Sequence, residues 1–188
     1  MLILVRHGRT AANASRRLQG LLDLPLDEIG EAQVAKLVSF VGPVDRVIAS
    51  PLLRARQTAA VFGRDVEIDD RWRELGYGEF EGRAMSEIDD ETWKHWRTDI
   101  DFAPGNGETL RQLGNRVYEA CDELVPQISA RTVVIVSHVT PIKVACAWAL
   151  GAPLLSTWRS FLDQASICRI DMWGHGPVLS GFNQRPSP

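Results

Sequence analysis

Thr132-Val133-Val134-Ile135-Val136-Ser137-His138 opens with five β-branched residues in a row. Such a run fits a strand covered on both faces. Val139 to Leu150, directly after it, reads as a helix. A second run, Leu2-Ile3-Leu4-Val5, is short and wholly apolar, and it ends in Arg6-His7-Gly8. Between these two strands the period switches back and forth. Asp27 opens a helical stretch to about Phe40, with Val34, Leu37, Val38 and Val41 at helical spacing. Val44 to Ala49 is a further strand. Pro51 stands just inside a helix start, and that helix runs to about Phe62. Val66 to Ile68 makes a short strand. Glu108 to about Ile128 is a long amphipathic helix. Ser166 to Met172 and Val178 to Phe182 close the pattern, and the polar tail Asn183 to Pro188 is expected to fray. Strands separated by helices predict an α/β three-layer sandwich, with a mostly parallel central sheet flanked by helices.

The chain has 188 residues, the length of a single domain. Residues 70 to 107 stand apart within it. They hold Trp72, Trp93 and Trp96, several glycines and many charges, and they end in Pro104-Gly105-Asn106-Gly107. This segment reads as a helical and irregular insertion. Apolar residues make up 45% and charged residues 24%, which excludes disordered and fibrous classes. A net charge of -3 argues against a nucleic-acid binder. No apolar run approaches the roughly 18 residues of a membrane span. Cys121, Cys146 and Cys168 are odd in number and far apart, so reduced thiols in a cytoplasmic protein are expected rather than a disulfide scaffold.

In open parallel sheets, ligands bind beyond the carboxyl ends of the strands. Two of the four histidines, His7 and His138, fall there. Arg6 sets a rigid fork of donors beside His7. Gly8 allows a sharp turn and a close approach of a ligand to the backbone. Arg54 and Arg56, two apart on a helix, point to different faces, so one reaches the strand ends and the other meets solvent. Arg73-Glu74-Leu75-Gly76-Tyr77-Gly78-Glu79-Phe80-Glu81-Gly82 places three carboxylates among glycines and aromatic rings, where a raised proton affinity suits a general acid. The chain has no HExxH, paired Cys/His set, phosphate loop or GxSxG elbow. The arginines beside both histidines would repel a metal ion. Anion binding is the consistent reading.

Arg6-His7-Gly8, Arg54 in Ser-Pro-Leu-Leu-Arg-Ala, Glu74 and Ser137-His138 occur in the order and contexts of the histidine phosphatase superfamily. That group includes cofactor-dependent phosphoglycerate mutase, and the resemblance spans residues 2 to about 150. It implies that His7 is the nucleophile taking the phosphoryl group as phosphohistidine. Arg6, Arg54 and His138 then clamp the oxygens, with His138 cationic. Glu74 serves as proton donor and then as base, with Glu79 and Glu81 as competitors. Asn13 and Thr10 match phosphate-side residues of the loop after Gly8, Gln19-Gly20 matches a loop near the substrate, and Val139 lies beside the phosphate. Family members need no metal and no cofactor.

Arg9 stands where mutases of the family usually carry Glu, and the long insertion of a phosphoglycerate mutase is missing. The segment Ser137-His138-Val139-Thr140-Pro141-Ile142-Lys143 is similar to α-ribazole phosphatases and to actinobacterial acid phosphatase domains. The resemblance therefore implies a metal-independent phosphomonoesterase acting on a small phosphorylated metabolite. The alternatives are a phosphoglycerate mutase-type phosphotransferase, or a non-catalytic phospho-ligand sensor or phosphohistidine eraser. Trp93, His95 and Trp96 either line the substrate pocket or pack the insertion onto the body, and Arg83 or Arg97 is a candidate contact for a second anionic group. Apolar surface on the helix from Val139, or on the closing strands, is a candidate homodimer face.

Overall fold

The computed structural model describes residues 1–186. Six strands form one sheet in the order β3-β2-β4-β1-β5-β6. They are β1 Leu2–Arg6, β2 Arg46–Ala49, β3 Val66–Ile68, β4 Val133–Ser137, β5 Ile167–Trp173 and β6 Gly176–Gln184. The β1–β4, β4–β2 and β2–β3 pairs are parallel. The closing pairs β1–β5 and β5–β6 are antiparallel.

The two apolar runs lie side by side at the centre, each buried along its whole length. Side chains alternate between faces along a strand, so each run feeds two cores. Leu2, Leu4, Val133 and Ile135 enter one. Ile3, Val5, Val134 and Val136 enter the other. The first core is covered by α6 (Leu110–Ile128) and α7 (Val139–Leu150). The second is covered by α2 (Glu28–Ala35), α3 (Leu37–Val41) and α4 (Leu53–Ala60). A short α1 (Ala11–Ala14) follows β1. The result is the three-layer arrangement expected.

Several boundaries differ from the sequence reading. The stretch from Asp27 to Phe40 is two helices, α2 and α3. The Lys36 N–H donates to Gln33 O at 3.4 Å, an i→i−3 step. Beyond it Leu37 and Val41 are buried, while Val38 is 42% exposed. Pro51 lies outside α4, because Leu52 is extended and its N–H bonds to Ser50 Oγ. The helix start is held instead from a distant loop, by Leu53 N–H to Asp23 Oδ1 at 2.5 Å. Asn183 and Gln184 are not a frayed tail but the end of β6. Asn183 exchanges hydrogen bonds with Asp163, 20 positions away in sequence. Ser187 and Pro188 lie outside the described residues.

The insertion holds short 3-10 turns and α5 (Asp90–Thr98), which Asp89 caps at the Thr92 N–H. Trp96 of α5 and Trp72 are buried in the first core. Cys121, Cys146 and Cys168 are buried and unbonded. Among the described residues, no helix is long and apolar enough to cross a membrane.

Candidate active site

Register places the site. Arg6 pairs with Ser137 across β1 and β4, and His7 N–H donates to Ser137 O at 3.0 Å. His7 and His138 therefore leave neighbouring strands at one level, their ring centroids 5.1 Å apart. The carboxyl end of β2 adds Ser50, whose Oγ lies 2.7 Å from His138 Nε2.

Hydrogen bonding settles the His7 tautomer. Nδ1 lies 2.7 Å from Gly8 O. A carbonyl only accepts, so Nδ1 carries the proton. Nε2 lies 3.3 Å from Arg54 Nε. A guanidinium only donates, so Nε2 presents a lone pair. The same Arg54, fully buried, donates from Nη1 to Leu22 O at 2.7 Å and from Nη2 to Gly20 O at 2.8 Å. Arg56 is exposed, as two positions along a helix require. Arg6 Nη1 donates to Leu162 O at 2.6 Å. Arg6 Nε and His138 Nδ1 are buried with no partner.

Burial first, and then the arginine charges, hold His7 well below its usual proton affinity. His138 is lowered for the same reasons: burial, then Arg54, His7 and Arg6. Burial first, and then the guanidinium charges, thus favour the neutral His138 imidazole here, against the expectation of a cationic one. Burial also lowers Arg6 to about 10, against the opposing pull of Glu74.

A pH prediction follows. In the unfolded chain both histidines take protons near pH 6.5. In the folded chain they do not, so the stability is fully present above that pH and is lost as pH falls below it. With both groups contributing, the slope approaches about 3 kcal/mol per pH unit. Denaturant melts between pH 7.5 and 5.5 should show this fall, and His7→Ala should halve its slope. A flat profile would contradict the buried neutral pair.

A cleft of about 1070 Å³ opens over these groups. Arg6, His7, Asn13, Gln19, Gly20, Arg54, Glu74 and Val139 line it. Glu74 is buried, and its Oε1 accepts from Leu75 N–H at 2.8 Å and Thr140 N–H at 3.3 Å. Its rivals point elsewhere. Glu81 Oε1 ties down Leu21 and Tyr77 through their N–H groups. Glu79 accepts from Asn106 Nδ2 at 3.2 Å.

Three candidates take supporting places instead. Gly8 does not line the cleft. Its N–H is taken by Thr58 Oγ1 at 3.2 Å. A Cβ there would lie 2.7 Å from Gly30 O and 2.8 Å from Val34 Cγ1, so Gly8 lets α2 press on the loop. This corrects the reading that it admits a ligand to the backbone. Thr10 also lies behind the cleft, as the N-cap of α1, with its hydroxyl 2.9 Å from Gln19 Oε1. His138 lies behind the cleft-lining residues, fully buried. Gly20, by contrast, has φ +51°, and a Cβ there would lie 2.4 Å from Glu81 Oε1. Its carbonyl can then face Arg54.

The insertion forms one wall. Trp93 and Trp96 are stacked at 5.1 Å and 9°, and both line the cleft. His95 does not; it is exposed beside Phe102. Arg97 lines the cleft with its guanidinium 5.1 Å over the Trp93 ring, while Arg83 sits over Phe80 outside it. Arg9 pairs with Asp27 at 2.9 Å, away from the cleft. The sequence reading missed Tyr77, Lys143, Arg16, Trp158 and Phe161. Tyr77 and Lys143 stood inside quoted motifs. Trp158 and Phe161 arrive from the turn after α7, and nothing local marks them.

Comparison with known proteins agrees. The profile of the histidine phosphatase superfamily (branch 1) matches residues 2–185. A bifunctional protein of Mycobacterium tuberculosis is 34% identical over 185 residues, covering 93% of this chain and 51% of the relative. The chain thus spans about half the length of the mycobacterial relatives it matches. A "probable phosphoglycerate mutase" of Serratia proteamaculans is 36% identical over 190 residues, covering 95% of this chain and 88% of the relative. A phosphoserine phosphatase of Entamoeba histolytica, solved with 3-phosphoglyceric acid, superposes with TM-score 0.89 at 27% identity, covering 97% of this chain and 96% of that one. The chain belongs to the histidine phosphatase superfamily, branch 1.

Proposed function

We propose that the protein is a cytoplasmic, metal-independent phosphomonoesterase working through a phosphohistidine on His7. One observation carries this reading: a neutral imidazole with its Nδ1 proton pinned to Gly8 O and its Nε2 lone pair in a cation-lined cleft. Nε2 attacks phosphorus, and the N–P bond forms as the ester P–O bond breaks. Arg6 and Arg54 supply donors for the phosphoryl oxygens, with His138 packed behind them against His7. Glu74, in its acid form, gives its proton to the departing alkoxide. Its Oε2 accepts from no protein donor among the described residues and is free for this task. In the second step Glu74 takes a proton from water, the water oxygen bonds to phosphorus, the N–P bond breaks, and phosphate leaves. His7 returns to its starting tautomer.

The same chemistry with a second alcohol as acceptor would be a mutase, and one relative bears that name. The two separate by phosphate release. A panel of phosphomonoesters, including α-ribazole phosphate, sugar phosphates and phosphoglycerates, is assayed with chelator present. Release of phosphate supports hydrolysis. Interconversion of phosphoglycerates without release replaces it with transfer. Glu74→Gln should slow alkyl phosphates by about 10²–10⁴-fold and aryl phosphates, with their better leaving groups, much less. Equal slowing of both would remove Glu74 from the acid role. A pure sensor or phosphohistidine eraser needs no leaving-group acid, and the buried placement of Glu74 in the cleft weighs against it.

A further inference from the structure

The cleft is electrically lopsided. Six cations line it, Arg6, Arg16, Arg17, Arg54, Arg97 and Lys143, against one carboxylate, Glu74. The chain as a whole carries -3. Arg6 and Arg54 hold loop carbonyls beside His7, and Arg17 Nη1 donates to Gly82 O at 2.8 Å. Arg16, Arg97 and Lys143 make no ion pair among the described residues. One phosphoryl group does not need so many.

Lys143 is the most informative of the three. It sits on α7 one turn beyond Thr140, on the same face. The Thr140 N–H reaches Glu74 Oε1 at 3.3 Å. Lys143 therefore stands on the Glu74 side of the cleft, where the alcohol half of a substrate leaves. It is half-buried, and that burial lowers its proton affinity while the Glu74 charge opposes the shift. A partly desolvated ammonium without a partner is costly, and an anion bound to it removes the cost. Arg97, resting over Trp93, extends the same positive field along the wall.

We propose that the substrate's alcohol half carries a second acidic group, and that Lys143 is the specificity residue that reads it. This rests on His7 marking the phosphoryl end of the cleft. Neutral sugar or alkyl phosphates are then the poorer class.

The test uses 3-phosphoglycerate and glycerol 3-phosphate, which differ only by a carboxylate in place of a hydroxymethyl group. Binding is measured by calorimetry on the His7→Ala protein, so that the readout does not depend on turnover. The expected result is a preference of about tenfold or more for the acidic compound. Adding Lys143→Met should bring the two within about twofold, and Lys143→Arg should keep most of the preference. Circular dichroism of each variant checks that it is folded. Equal binding of the two compounds, binding of neither, or a preference that survives Lys143→Met overturns the proposal. So does equal weakening of both compounds, which would mean that Lys143 acts through Glu74 rather than on the ligand. Wild-type turnover of the same pair is read separately. Absence of phosphate release with the binding preference intact removes the phosphatase reading and leaves this one standing.

Discussion

His7→Ala is expected to abolish phosphate release, by roughly 10⁴-fold or more, while the protein stays folded. The size follows from the proposed chemistry: without Nε2 there is no covalent intermediate, and what remains is the electrostatic help of the clamp. The fold should survive because the arginines around His7 are anchored elsewhere. Arg54 keeps its bonds to Gly20 O and Leu22 O, and Arg6 keeps Leu162 O. The strand that carries His7 is held by its neighbours on both sides. Wild-type enzyme, mixed briefly with substrate and quenched in alkaline denaturant, should carry an acid-labile, base-stable phosphoryl group that the variant lacks. Activity within tenfold of wild type in His7→Ala would sink the mechanism.

Arg54→Lys is the second large effect, and it should strike stability and rate together. One guanidinium serves three acceptors at once: His7 Nε2 at 3.3 Å, Leu22 O at 2.7 Å and Gly20 O at 2.8 Å. A lysine keeps the charge but has no planar fork, and a single ammonium cannot reach all three. Each buried carbonyl left unpaired costs about 1–3 kcal/mol. A loss of about 2–4 kcal/mol is expected in urea melts, with a fall of about 10²–10³ in kcat/KM as the phosphoryl clamp loosens. Arg56→Lys, two positions along and exposed, is the control and should change stability by less than about 0.5 kcal/mol. Equal behaviour of the two variants would mean that the network around Arg54 does not act as described.

The apolar runs at Leu2–Val5 and Thr132–Ser137 made the central strands legible, because only a strand covered on both faces is apolar at every position. His7, His138, Arg54 and Glu74 were legible as a set through their motifs, each at a strand end or in an adjoining loop. The break at Lys36 was not legible. Helical periodicity records which residues are apolar, and it does not record a single i→i−3 step. Pro51 misled for a related reason. Its fixed φ suits a helix start, but α4 begins two residues later, at a hydrogen bond from Leu53 N–H to Asp23, 30 positions away in sequence.

The charge states and the outer cleft were less legible still. A cationic His138 is reasonable for an isolated imidazole near neutral pH. Burial works against it once β1 and β4 bring His7, Arg6 and Arg54 into one dry space. Gly8 read as an opening for ligand, yet Gly30 and Val34 of α2 fill that space.

By itself the sequence determined the sheet, the family and the residues gathered at the strand ends. Those rest on contiguous runs and short motifs, where the informative residues are neighbours along the chain. Only the tertiary structure decided which carboxylate faces the cleft, which tautomer His7 adopts, and which of Trp93, His95, Arg83 and Arg97 form its wall. Those depend on burial and on partners far apart in sequence, and both are properties of the packed molecule rather than of any segment.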